Sequence, residues 1–401
     1  MKRRPYPGTD YRRALNIADL ERIAQRRLPN FVFEYLQGGA DDERTLHRNR
    51  AVFRDYLFHP RTLTRVDARH LSTTLLGQRH AMPLVIGPTG YNGMLTRDGD
   101  LKLAAAASRQ DIPFVLSNVA TTSLEEIATV EGLRAWMQIY FYRDRDYVRK
   151  LVERCHAAGY ETIVITTDSA IYGNREWDLR NFRRPMQPDW RNLLHLCSRP
   201  RWIADVLIPD GPPTFKNLDD LLPPGQQSVQ GASAIIGQQL DPTLNWDDIA
   251  WLRDIWQGKL IIKGLLSPEE AAQAAASGID GIVLSNHGGR QLDHALSPLD
   301  ILADTRKRVG QRCQLFVDSG FRRGTDIVKA LALGADAVWL GRATLYGLAA
   351  GGQPGVEHAL DILRREIDRT LGLLGETRLA DLDASHLVKC HAPNGETGES
   401  D

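Results

Sequence analysis

From Pro83 onward, short apolar runs alternate with segments of helical periodicity about ten to fifteen residues long, the pattern of repeated β-α units around a parallel sheet. Eight runs stand out: Leu84–Ile86, Phe114–Leu116, Ala135–Ile139, Thr162–Thr166, Leu260–Ile262, Gly281–Leu284, Leu315–Val317 and Ala337–Leu340. Helical spacing fills the intervals, for example over 101–108, 147–158, 268–277 and 327–333. Eight units predict an α/β fold of the closed (β/α)8, or TIM-barrel, type. A doubly wound sheet would need a G-x-G-x-x-G crevice fingerprint, and none occurs.

Before the barrel, residues 12–29 carry Ala14, Ile17, Leu20, Ile23 and Ala24 at helical spacing. An aromatic stretch, Phe31–Leu36, runs into Gly38-Gly39, and 41–56 reads as another helix. These segments make residues 1–75 an N-terminal helical extension, with the barrel over 76–390. The rhythm breaks once, between Asp168 and about Asn245, in a stretch rich in Arg, Pro, Gln and Asp. So long a structureless loop is improbable in a compact domain, which predicts a lid or docking insertion over about 176–244. The polar tail 391–401 is expected to be disordered.

Composition narrows the function. Fifty Lys and Arg balance 50 Asp and Glu, so the chain lacks the basic footprint of a nucleic-acid binder. Cys155, Cys197, Cys313 and Cys390 are scattered, with no C-x-x-C pair, as expected for reduced thiols in a cytoplasmic protein. No apolar h-region follows the basic start, and no run of 18 apolar residues occurs. No metal-ligand spacing stands out.

A barrel of this kind builds its active site at the C-terminal ends of the strands. Here those ends are polar or glycine-rich in every unit. In order they carry Gly87-Pro88-Thr89-Gly90, Ser117-Asn118, Gln138 with Tyr140, Thr166-Thr167-Asp168, Lys263-Gly264, Ser285-Asn286-His287-Gly288-Gly289-Arg290, Asp318-Ser319-Gly320, and Gly341-Arg342. The last two ends, with Arg322 and Arg342, suit a phosphate: glycines admit the anion to the backbone and the arginines supply charge-assisted bonds. Lys263 ends an apolar strand, where a charge needs a partner; a salt bridge inside the barrel is the plain alternative to a cation facing an electron-rich cofactor. His287 lies three residues before Arg290, a base beside a residue able to orient a carboxylate. Asp168 could pair with the imidazolium, or simply cap a turn.

Taken together, these residues resemble the FMN-dependent L-2-hydroxy-acid oxidising enzymes over about residues 12–388. The most specific stretch is 285–293, Ser-Asn-His-Gly-Gly-Arg-Gln-Leu-Asp. Residues 318–326, 340–350 and 262–267 support it and look most like the mandelate dehydrogenases of that family. The resemblance implies His287 as the base, stabilised by Asp168, with Arg290, Arg175, Tyr35 and Tyr140 on the substrate carboxylate. It implies Pro88, Thr89 and Gly90 on the N5 side of FMN and Lys263 at N1 and O2. Gln138 and Thr166 would meet the pyrimidine edge, with Ser117 and Ser285 nearby. Asp318 would hold the ribityl hydroxyls, and Gly320, Arg322, Gly341 and Arg342 the phosphate.

Two departures bear on substrate and acceptor. Gly90 stands where several oxidases carry alanine, which favours a dehydrogenase. Val119 stands where glycolate oxidase has tryptophan, which leaves room for a bulky acid such as mandelate; L-lactate is the alternative. No haem-domain segment precedes the barrel, so a flavocytochrome arrangement is not expected. A nucleotide-dehydrogenase barrel would need a reactive cysteine after a strand, and an inert flavin binder would be expected to lack His287 or Arg290.

The insertion carries Trp190, Leu193, Leu194 and Cys197, then Trp202, Ile203, Val206 and Leu207, at helical spacing, with Arg183, Arg184, Arg191, Arg199 and Arg201 among them. Two amphipathic pieces of this kind suit an anionic lipid surface, with a lid or subunit contact as the alternative. The resemblance agrees, implying a tetrameric enzyme held peripherally on the cytoplasmic side of the inner membrane and passing electrons to a quinone.

Overall fold

The computed structural model describes residues 5–184, 187–188, 190–222 and 236–390. Every apolar run forms a strand: β1 Leu84–Ile86, β2 Phe114–Ser117, β3 Ala135–Tyr140, β4 Thr162–Thr166, β5 Lys259–Leu265, β6 Gly281–Leu284, β7 Gln314–Val317 and β8 Ala337–Leu340. All pair in parallel and close into one barrel, β8 returning to β1.

Alternation along each strand sorts the side chains. Val85, Val115, Trp136, Val164, Ile261, Val283, Phe316, Ala337 and Trp339 point inward and form one apolar layer, joined by Leu75. Leu75 belongs to a hairpin, Thr73–Leu75 with Gln78–His80, that hydrogen-bonds through Leu76 and Thr74 to Gln314 at the start of β7. Leu84, Ile86, Leu116, Ile163, Ile262 and Leu340 point outward against the helices. Burying such side chains contributes roughly 1.5–3 kcal/mol each. Because strand side chains alternate faces, the next inward position lies two residues further on. Those positions are Gly87, Ser117, Gln138, Thr166, Lys263, Ser285, Asp318 and Gly341. A polar layer therefore sits directly above the apolar one, at the C-terminal end.

Helix α1, Ile17–Arg27, starts later than the expected residue 12, because Asn16 caps it by accepting from Asp19 N at 2.9 Å. Residues 11–13 form only a 3-10 turn. Pro29 disfavours helical backbone at Leu28, so the chain turns there into α2, Asn30–Gln37. The helix expected over 41–56 is shorter, α3 at Arg44–Ala51. Tyr56–Phe58 leave it to pair antiparallel with Leu387–Lys389, a partner no local pattern reveals. Between strands run α4 Gly99–Arg109, α5 Leu124–Ala128 and α6 Arg145–Ala157.

The described part of the insertion is structured. It holds α7 Glu176–Asn181, a short strand pair, and α8 Trp190–Cys197, followed by helical residues 200–207. On α8, Trp190, Leu193, Leu194 and Cys197 are exposed, as expected. The second apolar set is not: Trp202 and Val206 are buried. Trp202 packs edge-on against Phe31 and donates its indole N–H to Met94 O at 2.9 Å, so this piece is docked on the barrel. Arg199 is likewise turned inward, its Nε donating to Leu28 O at 3.1 Å. The side chains of Arg183 and Arg184 and the tail 391–401 lie outside the described residues. After the insertion come α9 Trp246–Ile255, α10 Pro268–Ala276, α11 Pro298–Val309 and α12 Gly324–Ala332. The last helix, α13, spans Arg342–Leu374 with a break at Gly351-Gly352.

Candidate active site

A cavity opens above the polar layer, at the carboxyl ends of the strands. Tyr35, Pro88, Thr89, Gly90, Ser117, Tyr140, Arg175, Lys263, His287, Arg290, Asp318, Gly320, Arg322, Gly341 and Arg342 all line it. Gln138, Thr166, Ser285 and Asp168, also expected there, adjoin residues that do. Gln138 Oε1 accepts from Ser117 Oγ at 3.0 Å, and Ser285 Oγ accepts from Lys263 Nζ at 2.9 Å. Thr166 pairs in register with Lys263 and Tyr140. Sequence reasoning missed Tyr172, which lines the cavity and faces the Arg175 guanidinium at 5.7 Å. Its place four residues after the polar end of β4 was the available signal. Ser319, read from sequence only as part of a polar strand end, lines it too, and its hydroxyl accepts from Gly288 N at 3.1 Å.

The loop after β6 carries the imidazole. His287, Gly288 and Gly289 take left-handed φ values of 57°, 66° and 76°, a conformation that glycine adopts freely and histidine tolerates at modest cost. Asn286 secures the turn by exchanging amide hydrogen bonds with Asn49 of α3 at 2.9 and 2.7 Å. His287 Nδ1 meets Asp168 Oδ1 at 2.9 Å. With Nδ1–H committed to that carboxylate, the neutral ring offers Nε2 as a proton acceptor. Burial pushes the imidazole below its ordinary value, and this outweighs the pull of Asp168; Lys263 and Arg175 add to the lowering. Burial pushes Asp168 the other way, but His287 and Lys263 outweigh it and hold the carboxyl below its usual range. The pair rests as neutral imidazole and carboxylate.

Lys263 is buried, 3.2 Å from Asp318. Burial alone would lower its pKa, yet Asp318 and Asp168 more than offset that, so the ammonium stays charged. The salt bridge and the cation facing the cavity are one arrangement.

The arginines differ. Among the described residues, no carboxylate lies within ion-pair distance of Arg175, Arg290, Arg322 or Arg342. Burial, with Arg175 beside it, pushes Arg290 down to about 10. Burial, with Arg290 beside it, pushes Arg342 down to about 9. Both hold backbone carbonyls at the end of α2: Arg290 Nη1 donates to Tyr35 O and Gly38 O at 2.8 Å, and Arg342 to Leu36 O and Gly38 O at 2.9 Å. Helix α2 ends in unsatisfied carbonyls and the negative end of its dipole, which favours guanidinium groups there. Unbalanced buried cations of this kind call for an anionic occupant of the cavity, which Arg175, Arg290, Arg322 and Arg342 all line.

A family model described as FMN-dependent dehydrogenase matches residues 24–389. The chain is 45% identical over 373 residues to (S)-mandelate dehydrogenase of Pseudomonas putida, covering 93% of each sequence. It is 39% identical over 375 residues to L-lactate dehydrogenase of Pseudomonas syringae, covering 94% of this chain and 98% of that one. Among solved structures, a monotopic membrane protein, (S)-mandelate dehydrogenase, superposes with a TM-score of 0.90 at 44% identity. That superposition covers 94% of this chain and all of the other, 100%.

Proposed function

The chain belongs to the FMN-dependent dehydrogenases, and on that premise we propose that the L-2-hydroxy acid it oxidises carries an aryl or comparably bulky side chain. It is an FMN-dependent oxidoreductase acting on 2-hydroxy acids. The observation behind the substrate reading is the cavity lining, in which Leu95, Val119 and Tyr172 contribute apolar surface and residue 90 has no side chain. A Cβ at Gly90 would lie 2.6 Å from Val119 Cγ2, so alanine there would need Val119 to move. L-lactate is the second reading, favoured by the lactate dehydrogenases among the relatives. Flavin bleaching under anaerobic conditions is expected to be fastest with mandelate, slower with L-lactate and slowest with glycolate. Glycolate as the best substrate would overturn the assignment.

The residues fit the cofactor. Gln138 Nε2 is a buried donor with no partner among the described residues, as a ring carbonyl acceptor would require. Gly320, at φ 87°, sits where a Cβ would strike Asn49 O at 2.1 Å, so only glycine gives this close-packed turn beside Arg322. FMN, when bound, supplies the two-electron oxidant. In our reading Gly320, Arg322, Gly341 and Arg342 hold its phosphate, and Asp318 the ribityl chain. Lys263, Gln138, Thr166, Ser117 and Ser285 hold the pyrimidine side, and Pro88, Thr89 and Gly90 the opposite edge. Arg290 and Arg175, with Tyr35 and Tyr140, fix the substrate carboxylate so that its C2 carbon stands before His287. His287 Nε2 then takes the proton, and Asp168 stabilises the imidazolium that results.

We place the acceptor in a lipid bilayer. No helix among the described residues is long and apolar enough to cross a membrane. Instead, α8 exposes Trp190, Leu193 and Leu194, and Ile171, Trp177 and Leu179, close in sequence to the cavity-lining Tyr172 and Arg175, are exposed as well, apolar side chains of the kind a peripheral contact would need. The four cysteines are free thiols, consistent with the cytoplasmic face. Residues 200–207 are docked on the barrel, so substitution tests this better than deletion. W190E/L194E should weaken sedimentation with anionic vesicles by at least about a hundredfold, since two apolar side chains lose about 1.5–3 kcal/mol of burial each. Flavin reduction by the hydroxy acid should be unchanged. Failure of the unaltered protein to bind such vesicles would refute the contact.

A further inference from the structure

We infer that Gln37, the last residue of α2, is a positioning residue for Arg322 and acts on it through Tyr346; this rests on the reading that Arg322 holds the FMN phosphate. Arg322 lines the cavity beside Gly341 and Arg342, yet little fixes its guanidinium. Its Nη1 donates to Phe321 O at 2.9 Å, and no carboxylate among the described residues pairs with it. Its principal support is Tyr346, whose ring centroid lies 5.2 Å from the guanidinium carbon. A cation so placed is held by the ring face and by the phenol group. Tyr346 is fully buried in the first turns of α13, and a buried phenol needs a hydrogen-bond partner. That partner is Gln37, whose Oε1 accepts from the Tyr346 hydroxyl.

The placement matters because the same end of α2 carries the carbonyls that hold Arg342 and Arg290. Gln37 thus extends to Arg322 a support that the backbone at the end of α2 gives to two of the other three cavity arginines. Removing the Gln37 acceptor leaves the Tyr346 hydroxyl unpaired in a buried site. The ring is then free to turn to find water or another acceptor, and Arg322 moves with the ring. Lys263 and Ser117, which in our reading hold the flavin ring system, bond to Ser285, Asp318 and Gln138 and not to Gln37 or Tyr346, so their positions do not depend on this contact.

The test is fluorescence titration of the full-length, flavin-stripped chain with FMN and with riboflavin, which lacks only the phosphate. Q37M and Y346F should each weaken FMN about tenfold, the effect of one unpaired buried hydrogen-bonding group, and leave riboflavin affinity unchanged. The double variant should match either single one, since both break the same chain. R322M should weaken FMN by more, again without affecting riboflavin. Equal loss of FMN and riboflavin in Q37M would show a merely structural role and overturn the proposal, as would unchanged FMN affinity or additive losses in the double variant. If R322M leaves the FMN-to-riboflavin ratio unaltered, the phosphate reading itself fails and Gln37 has nothing to position.

Discussion

Replacing His287 with glutamine is expected to slow reduction of bound FMN by the hydroxy acid roughly a hundredfold or more, the usual contribution of a positioned base. The protein should remain yellow, because the cations proposed to hold FMN lie on other strands. Glutamine keeps a donor for Asp168 but cannot take up a proton. The same assignment fixes the direction of the pH dependence. The imidazole is the base only when neutral, and burial keeps it neutral to a pH below its ordinary 6.5. Reduction should therefore be at its plateau at neutral pH and fall only as pH drops through a value under 6.5. Stopped-flow reduction across pH decides both points. A near-native rate in H287Q, or an acid limb that persists unchanged in the variant, would remove His287 from the role.

Arg290→Met should lower kcat/KM roughly 100- to 1,000-fold, the consequence of leaving one partner of a buried ion pair uncompensated. Both parts of the ratio should suffer: substrate binds more weakly, and what binds is less well aligned with His287. The geometry also dictates a control. Arg290 braces Tyr35 O and Gly38 O, so the variant must be shown to retain FMN before its kinetics are read. A second comparison avoids mutation altogether. The amide or ester of the hydroxy acid should be a far poorer substrate of the unaltered enzyme, and the R290M enzyme should discriminate much less between acid and amide. Oxidation of the amide as readily as the free acid would disprove the carboxylate clamp.

The two tests depend on contacts of different legibility. The strands were readable because a short apolar run such as Ile282-Val283-Leu284, bounded by Gly281 and Ser285 and set between helical patterns, is a local signal. Ser117, Lys263, Ser285 and Asp318 were found from sequence because each follows an apolar run and a barrel carries its site at the strand ends; that they share the inward face was decided by the closed barrel. His287 and Asp168 were each visible as strand-end residues, but their 2.9 Å contact joins positions 119 apart and exists only once the barrel closes. The amphipathic pieces of the insertion show the limit most clearly. Trp190 and Trp202 stand in similar patterns, yet one is exposed and the other packs on Phe31, because periodicity marks an apolar face without saying what will cover it. The seat of the arginines was beyond any reading of side chains. Arg290 and Arg342 are held by backbone carbonyls at the end of α2, and a carbonyl belongs to every residue alike. The sequence determined which residues line the strand ends; the packing of α2 across the barrel mouth decided where the buried positive charges stand, since only a helix end brought there by the fold supplies the acceptors.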